Sequence, residues 1–403
     1  MGLSSCQPVH ARHCDGPDRR HDTGKKTPAS RFRRCAVAIC LILACSFGAP
    51  LRAEVLRIAT YDAGLTRRGP GLLLRDILRG DDPQIAAAAA VIAAIRPDVL
   101  VLTSLDYDHG LRGLAGFADV LAGLGVDYPH RFALRPNSGL ASGLDLDGDG
   151  RRGQPEDAQG YGWFAGEGGL AILSNRPVMR ESVTDFSAVL WRDLPGALLP
   201  TTAGGGAFPS VAAQNAQRLP STAHWVVPIR VTPGQVLSLL VFRATPPVFD
   251  GPEDRNGRRN HDEAAFWLRY LNGELPGHDP PPGPVAVLGN ANLDTQRGAG
   301  LGDAMAALLV HPRLQDPKPR RGKPPDAPGF AGGLADAGLA DGGLATVDWP
   351  DGPGRQRVDY VLPDAGLRVV GSGVFWPPPG APMAETVAAA SAHRAVWVDV
   401  EIP

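Results

Sequence analysis

Short stretches of apolar residues, each ending in polar positions, recur along most of the chain and predict β-strands. The first is Val55–Thr60, and "DVLVLTS" at 98–104 begins as an unbroken apolar run, so that strand is expected to be buried on both faces. Seven further strands are predicted at 170–174, 224–231, 236–242, 284–289, 357–363, 367–376 and 394–402.

Two segments carry helical patterns with recognisable starts. Asp82 can cap, and Pro83 can occupy the first turn of, a helix over the alanine-rich "DPQIAAAAAVIAAI". A second helix is expected to open at Asn260, with Glu263 three residues on as a capping-box partner, and to end near Gly273. Many strands with only two or three helices predict a mixed-sheet α/β or α+β sandwich, and residues 54–403 are expected to form one domain.

The first 53 residues carry a different pattern. Arginines precede the apolar run Cys35–Phe47, which is followed by "GAPLRA" and the small Ala53, as in a secretory signal peptide. The run is shorter than the roughly 20 residues that a spanning helix needs, which disfavours a membrane anchor. A lipoprotein site at Cys45 is the other alternative. We therefore expect cleavage near Ala53 and a periplasmic or secreted protein.

Composition narrows the classes of function. All five cysteines lie within residues 1–45, so the remainder folds without disulfides or cysteine-bound metal. The chain has 40 Lys and Arg against 42 Asp and Glu, and residues 54–403 retain 31 against 39, a net charge of about −8. This sign disfavours a general nucleic-acid binder, whose affinity depends on cationic contacts with phosphates. Residues 317–353 are rich in Pro, Gly, Ala and Asp and are expected to form a surface loop.

The sharpest local motif is "DLDGDGRRGQPE", which has the residue spacing of a calcium-binding loop. Calcium takes roughly six to eight oxygen ligands, and alternate carboxylates supply them where the chain turns sharply, as Gly150 permits. A structural Ca²⁺ is expected here, with an acidic surface turn as the alternative. The candidate ligands are Asp145, Asp147, Asp149 and Glu156.

Two further segments carry candidate chemistry. Arg255, Arg258 and Arg259 follow a strand and could bind an anion bidentately, unless the segment is a loop held by internal Arg–carboxylate pairs. Near the C-terminus, His393 precedes one predicted strand and Asp359 lies on another. A histidine paired with a carboxylate can act as a general base or phosphate contact, and a structurally satisfied histidine is the alternative.

Several phrases occur in order along residues 54–403: "LRIATYDAG", "RPDVLVLTSLDYD", "GLAILS", "TPPVFDGPEDRNGRRN", "LGNANLD", "RVDYVLP", "SGVFWP" and "SAHRAVWV". In this order they resemble the endonuclease/exonuclease/phosphatase family of DNase I-like, metal-dependent phosphoesterases, and among them the exported bacterial branch. The resemblance implies a four-layer αββα sandwich, in which two mixed β-sheets lie face to face with helices outside.

The resemblance also implies that five positions of the family's site carry other residues here. The family's Asn after the first strand is Asp62, its metal-binding Glu after the second strand is Ser104, and the His of its H-x-TPP phrase is Arg243. The water-activating Asp of G-D-x-N-x-D is Asn290, and the Asp of S-D-H is Ala392.

What the resemblance retains is His393 with its orienting partner Asp359, together with Asn292, whose amide would face a phosphate. Asp62 is the candidate ligand for Mg²⁺ or Mn²⁺ in the cleft. The catalytic candidates are His393, Asp359, Asn292 and the substituted Asn290. The candidate phosphate contacts are Arg243, Asn292, His393 and Arg255.

These substitutions decide the expected function. Asn290 cannot accept a proton from water, and the pKa of an arginine such as Arg243 is too high for proton transfer. We expect an exported family member with a degraded metal site that binds a phosphorylated small molecule or another anionic ligand. The alternative is an active divalent-metal-dependent phosphodiesterase, phosphomonoesterase or nuclease, whose metal would be held by Asp62, Asn290, Asn292 and His393.

Overall fold

The structure is a computed structural model and describes residues 54–322 and 342–402. In this part of the chain the strands are β1 Glu54–Leu65, β2 Val99–Leu105, β3 His130–Phe132, β4 Gly169–Ser174, β5 Thr184–Asp185, β6 Ala223–Thr232, β7 Gln235–Arg243, β8 Val285–Asn290, β9 Arg321–Gly322, β10 Val347–Trp349, β11 Gly354–Gln356, β12 Asp359–Pro363, β13 Arg368–Phe375 and β14 Val396–Ile402. The α-helices are α1 Leu72–Arg79, α2 Pro83–Ile95, α3 Arg112–Gly123, α4 Val211–Ala216, α5 Arg255–Leu271, α6 Asp303–Leu309 and α7 Ala384–Ala390.

The strands form two large sheets and one hairpin. The first sheet has the order β3-β4-β2-β1-β14-β13-β9, the second has the order β12-β8-β7-β6-β5, and β10 pairs with β11. Both large sheets are mixed: β1 runs parallel to β2 but antiparallel to β14, and β7 runs parallel to β8 but antiparallel to β6.

Alternation along the central strands assigns the layers. On β6, Trp225 and Val227 belong to a core shared by both sheets, whereas Val226 packs among residues of α5 and α6. On β1, Ile58 faces the shared core and Ala59 packs with residues of α2 and α3. Side chains of a strand point alternately to its two faces, so each sheet covers the other with one face and helices with the other. The expected four-layer αββα sandwich is confirmed.

The predicted central elements are confirmed with small shifts at their ends. Every residue of β2 is buried, as its unbroken apolar run indicated. The helix predicted from Asp82 is α2, and the Asp82 side chain accepts hydrogen bonds from the backbone N–H groups of Gln84 and Ile85 at 2.9 and 3.0 Å. Satisfying these free amides fixes where the helix starts.

The predicted start of the other helix was wrong. Helix α5 begins at Arg255, and Asn260 lies inside it, where its Nδ2 donates to the backbone carbonyls of Thr245 and Ala291. Glu263 is also buried and accepts bonds from neighbouring loops instead of closing a capping box. The described residues also contain seven α-helices, not two or three. The additional helices were missed because several of them are short, so their helical pattern extends over too few residues to be recognised in the sequence.

The predicted surface loop 317–353 is partly structured. Residues 323–341 lie outside the described residues, as do the predicted signal peptide, its Ala53 cleavage site and Cys45. At the end of the segment, Ala345, Thr346 and Val347 are buried, and the last of them begins β10. Among the described residues, no helix is both long and apolar enough to cross a membrane.

Candidate functional site

Polar residues from both sheets meet where their central strands end. Asp62, near the end of β1, pairs in register with Thr103 of β2 in the first sheet. In the second sheet, Asn290 at the end of β8 lies in register with Arg243 of β7 and with Asp359 of β12. The two parallel pairs and the face-to-face packing of the sheets bring these strand ends together.

Asp62 is the centre of the first group of contacts. Its Oδ2 accepts hydrogen bonds from Ser104 Oγ at 2.7 Å and from Asn290 Nδ2 at 3.1 Å, and it lies 3.6 Å from Nε of Arg243. Burial opposes the charge of Asp62, but the charges of His393 and Arg243 and these two hydrogen bonds outweigh it and lower its pKa to about 2. Asp62 is therefore ionised and already has three partners.

Ser104 reaches Asp62 through an irregular strand. The pairing of β2 shifts between Thr103 and Leu105 against β1 and between Leu102 and Leu105 against β4, and Ser104 has a left-handed φ of 59°. A bulge of this kind redirects a side chain that would otherwise follow the pleat. The hydroxyl is thereby directed to the carboxylate 42 positions away in the sequence.

The second group of contacts is built on His393. Its Nδ1 lies 2.9 Å from Oδ2 of Asp359, which is fully buried and also accepts a 2.9 Å hydrogen bond from Thr346. Burial disfavours a charged imidazole, but the charges of Asp359 and Asp62 outweigh it, so the pKa of His393 lies above its usual value. The ring's Nε2 has no hydrogen-bond partner in the described part of the chain. It can donate to an anion or accept a proton.

Sequence patterns did not reveal three residues that hold this pair. Thr346 Oγ1 donates to Asp359 and accepts from its backbone N–H at 3.0 Å. Ser391 Oγ accepts from the backbone of His393 and donates to the carbonyl of Asp62, thereby linking the two groups. The ring of Trp349 packs edge-on against His393 at 5.6 Å. The "SAH" phrase contains Ser391 but gave no indication of its role, whereas Thr346 and Trp349 lay in the segment interpreted as a loop.

The amides of "GNANLD" are largely used within the protein. Asn290 Oδ1 accepts from the backbone N–H of Asn292 at 2.7 Å, and Asn292 Nδ2 donates to the carbonyl of Ala244 at 2.7 Å. Asn292 has a left-handed φ of 48°, a conformation that Asn tolerates better than most residues. Asp294 turns away to accept from the backbone of Arg357. Asn290 thus joins Asp62, while Asn292 shapes the turn after β8.

A cavity of about 550 Å³ opens beside this site, with Arg243 in its wall. Of the other predicted site residues, Arg255 and Glu156 line it, whereas Asp62, Asn290, Asn292 and His393 do not. Arg255 is 7% exposed, and among the described residues its guanidinium has the carbonyl of Leu146 as acceptor and no carboxylate within 4.0 Å.

The first turns of α5 contribute to the cavity wall, and their arginines are not held by carboxylates. Arg259 also lines the cavity and donates to the backbone carbonyls of Leu219, Gln159 and Arg218. Burial lowers its pKa to about 10. In the described chain, Arg255 and Arg259 therefore donate to backbone carbonyls, and the interpretation of the segment as a loop held by internal Arg–carboxylate pairs stays an alternative.

The comparison that decides the family is a match over most of the chain. The model described as "Endonuclease/Exonuclease/phosphatase family" matches residues 74–393. The chain belongs to this family. The description names nucleases and phosphatases, enzymes that act on phosphate esters.

Several solved structures are similar to this chain at low sequence identity. An endonuclease/exonuclease/phosphatase from Beutenbergia cavernae DSM 12333 is 17% identical, over 87% of this chain and 72% of that chain, with a TM-score of 0.49. A family protein from Leptotrichia buccalis C-1013-b is 16% identical, over 86% and 100%, with a TM-score of 0.46. Sphingomyelinase C from Streptomyces griseocarneus is 16% identical, over 86% and 99%, with a TM-score of 0.43. No curated protein matches the chain.

The positions at which the chain was expected to depart from the endonuclease/exonuclease/phosphatase pattern lie together. Asp62, Ser104, Arg243 and Asn290 form the contacts around one carboxylate oxygen. The remaining position, Ala392, directly precedes His393. The five residues therefore belong to one place in the fold.

The acidic motif forms a separate group. Carboxylate oxygens of Asp145, Asp147 and Asp149 lie within 4.8 Å of one another. Gly150 has a φ of 84°, the turn conformation that the motif requires, and its N–H donates to Asp145 at 2.9 Å. Glu156 is not part of this group and lines the cavity instead. Calcium binding by this loop stays a prediction.

Proposed function

We propose that this family member binds a phosphorylated or otherwise anionic ligand beside Arg243, and that its metal-dependent hydrolysis of phosphate esters is weak or absent. The observation that carries the proposal is the contact between Arg243 and Asp62. A fixed cation lies 3.6 Å from the ionised carboxylate at the end of β1.

The residues around Asp62 do not fit a divalent cation. Mg²⁺ and Mn²⁺ need oxygen ligands, commonly including one or two carboxylates. Here Oδ2 of Asp62 accepts from Ser104 and Asn290, and the amide of Asn290 directs its Nδ2, not its oxygen, towards Asp62. Apart from the acidic motif, the described residues contain no group of three potential His, Cys, Asp or Glu metal ligands. The positive charge of Arg243 opposes a metal further.

Anion binding is supported by the charges along the cavity. The charge of Arg255 is nine-tenths buried with no carboxylate within 4.0 Å among the described residues, although Asp147 lies near enough for its charge to interact with Arg255. A buried charge without a close partner is costly. Arg243 is a quarter exposed and its Nε has no hydrogen-bond acceptor. A phosphate between these groups would supply the missing acceptors.

The alternative function, an active divalent-metal-dependent phosphodiesterase, phosphomonoesterase or nuclease, is favoured by one observation. His393 and Asp359 form the pair that a general base or phosphate contact requires, and Nε2 of the histidine is free of protein partners in the described residues.

Two measurements on the purified protein separate these functions. Hydrolysis of bis-(p-nitrophenyl) phosphate and of plasmid DNA is assayed with Mg²⁺, Mn²⁺ or Ca²⁺, and inorganic phosphate binding is measured by calorimetry. We expect phosphate binding, and no turnover above the blank. Turnover by the native chain that is lost in His393→Ala would establish the alternative and overturn the proposal.

Variants make the test specific. Arg243→Met and Arg255→Met should each weaken phosphate binding, whereas Arg258→Met on the same helix should not, because Arg258 does not line the cavity. A variant carrying Ser104→Glu, Asn290→Asp, Arg243→His and Ala392→Asp should gain metal-dependent turnover. If Arg258→Met weakens phosphate binding as much as Arg255→Met does, the assignment of the phosphate site to this cavity is wrong.

We also propose that the protein is exported, on the strength of the signal-like pattern before Ala53. N-terminal sequencing of protein recovered from the periplasm and medium of an expressing bacterium should begin near Glu54. A protein that keeps residues 1–53 and stays in the cytoplasm contradicts this.

A further inference from the structure

The cavity beside Arg243 has an apolar rim as well as a charged wall. Val248, Phe249 and Tyr161 line it together with Pro246. Phe249 is 87% exposed, the highest value among the exposed large hydrophobic residues of the described chain, and Tyr161 is 57% exposed. Neither ring packs against another aromatic ring or a cation in the described residues. Exposed aromatic rings at the edge of a cavity are available to a ligand.

The backbone at Phe249 adds to this observation. Its φ is 69°, a conformation that is strained for a bulky residue and costs on the order of 1–3 kcal/mol. The loop is fixed by Asn256, whose Nδ2 donates to the carbonyl of Val248 at 2.8 Å and whose N–H donates to Asp250. The first helical turn of α5 therefore holds Phe249 at the rim, although the ring gains little burial within the protein.

The charged wall indicates the charge of the ligand. Among the residues that line the cavity, Arg243, Arg255 and Arg259 oppose the single carboxylate of Glu156, so the lining itself carries a net charge of +2, to which Arg243 contributes while its Nε also faces Asp62 behind the wall. A phosphate monoester loses its second proton with a pKa of about 6 and is then close to a dianion. A diester carries one negative charge. The lining matches the monoester better.

We propose that the cavity binds a phosphate monoester whose organic group is aromatic, and that Phe249 and Tyr161 select this group by packing against it. The inference rests on the proposed function, because Arg243 and Arg255 bind the phosphate. It adds the class of ligand and the residues that determine specificity.

Phosphonates test this without hydrolysis, because their carbon–phosphorus bond is stable. Calorimetry at pH 9, where both phosphonates are dianions, compares phenylphosphonate with methylphosphonate and with inorganic phosphate. We expect phenylphosphonate to bind roughly 2- to 10-fold more tightly than methylphosphonate, the range that aromatic packing provides. Diphenyl phosphate, a monoanion with two rings, should bind more weakly than phenylphosphonate.

Phe249→Gly is the decisive variant, since glycine adopts a φ of 69° without strain and the loop should keep its shape. It should lose the preference for phenylphosphonate while its affinity for inorganic phosphate stays within about twofold. Trp163→Ala is the matched control, because Trp163 is 72% exposed but does not line the cavity. It should keep the preference.

The outcomes distinguish the two proposals. Equal affinity for the two phosphonates, with measurable phosphate binding, overturns the aromatic assignment and leaves the proposed function standing. Tighter binding of diphenyl phosphate overturns the monoester assignment. If none of these anions binds, the proposed function fails and this inference fails with it.

Discussion

Nε of Arg243 lies 3.6 Å from Oδ2 of Asp62, so a permanent positive charge at the end of β7 neutralises the carboxylate at the end of β1. The two side chains belong to different sheets, and their charges are compensated across the gap between the strand ends. The stability of this part of the fold therefore depends on Arg243 as well as on burial.

Arg243→Met should destabilise the fold by about 1–3 kcal/mol at pH 7, because it leaves a buried charge with less compensation. The pKa of Asp62 is about 2 in the folded protein and 3.8 ordinarily, so its contribution is complete above pH 3.8 and is lost as the pH falls towards 2. Urea unfolding at pH 7 and near pH 2 should show that the loss of unfolding free energy caused by Arg243→Met is smaller in acid. Arg243→Lys keeps the charge and should lose less unfolding free energy than Arg243→Met. An equal loss in the two variants contradicts the electrostatic explanation.

The pKa of His393 should lie above the ordinary value of 6.5, because the negative charges of Asp359 and Asp62 outweigh the effect of burial. Asp359→Asn should lower it, as followed by the imidazole proton resonances in an NMR titration. Asp348→Asn, which removes a carboxylate paired with Arg355, serves as the control and should leave it unchanged. An unaltered titration in Asp359→Asn rules out this pair as the cause.

Thr346→Val should cost about 1–3 kcal/mol of unfolding free energy, because it removes a donor to buried Asp359 and an acceptor for the N–H groups of Val358 and Asp359. Thr346→Ser keeps the hydroxyl and should cost less. Denaturant unfolding measures both variants. Equal stability of the valine variant and the native protein would show that this hydroxyl does not support the pair.

The buried carboxyl of Glu263 should make the protein less stable as the pH rises from about 4.5 to about 6. Burial raises its pKa to about 6 from an ordinary 4.5, so over this interval the folded chain holds a proton that the unfolded chain has released. The shift corresponds to about 2 kcal/mol. Thermal unfolding across the interval should show the slope in the native protein and its loss in Glu263→Gln. Glu385→Gln, at an exposed position, is the control and should retain the slope. A slope that persists in Glu263→Gln shows that the carboxyl of Glu263 is not its cause.

Calcium should raise the melting temperature, and a chelator should lower it, if the acidic loop binds the ion only in the folded state. Asp147→Ala should abolish the response, since its carboxylate belongs to the group of three within 4.8 Å. Asp351→Asn, in a different segment, is the control. An unresponsive native protein disproves calcium binding by the loop.

Local sequence determined much of the scaffold. The unbroken apolar run of β2 and the Asp82 cap with its following proline act over a few residues, where hydrophobic periodicity and backbone hydrogen bonding decide the structure without distant partners. The start of α5 was missed, because charged residues ahead of Asn260 suggest a loop until their buried partners are known. Those partners, the carbonyls of Leu146 and Leu219, come from other segments.

The sequence by itself thus determined the nine longest strands, the main helix of the first layer and, through the resemblance, the positions at which the family's site residues were expected. Only the tertiary structure decided which of these residues are in contact. Ser104 and Asn290 donate hydrogen bonds to Asp62 from positions 42 and 228 residues away in the sequence. Thr346, which lies in a segment predicted to be a loop, donates to Asp359. Such contacts depend on strand register and on the packing of two sheets. These are long-range properties, whereas the pattern of apolar and polar residues records only which face of each element is buried.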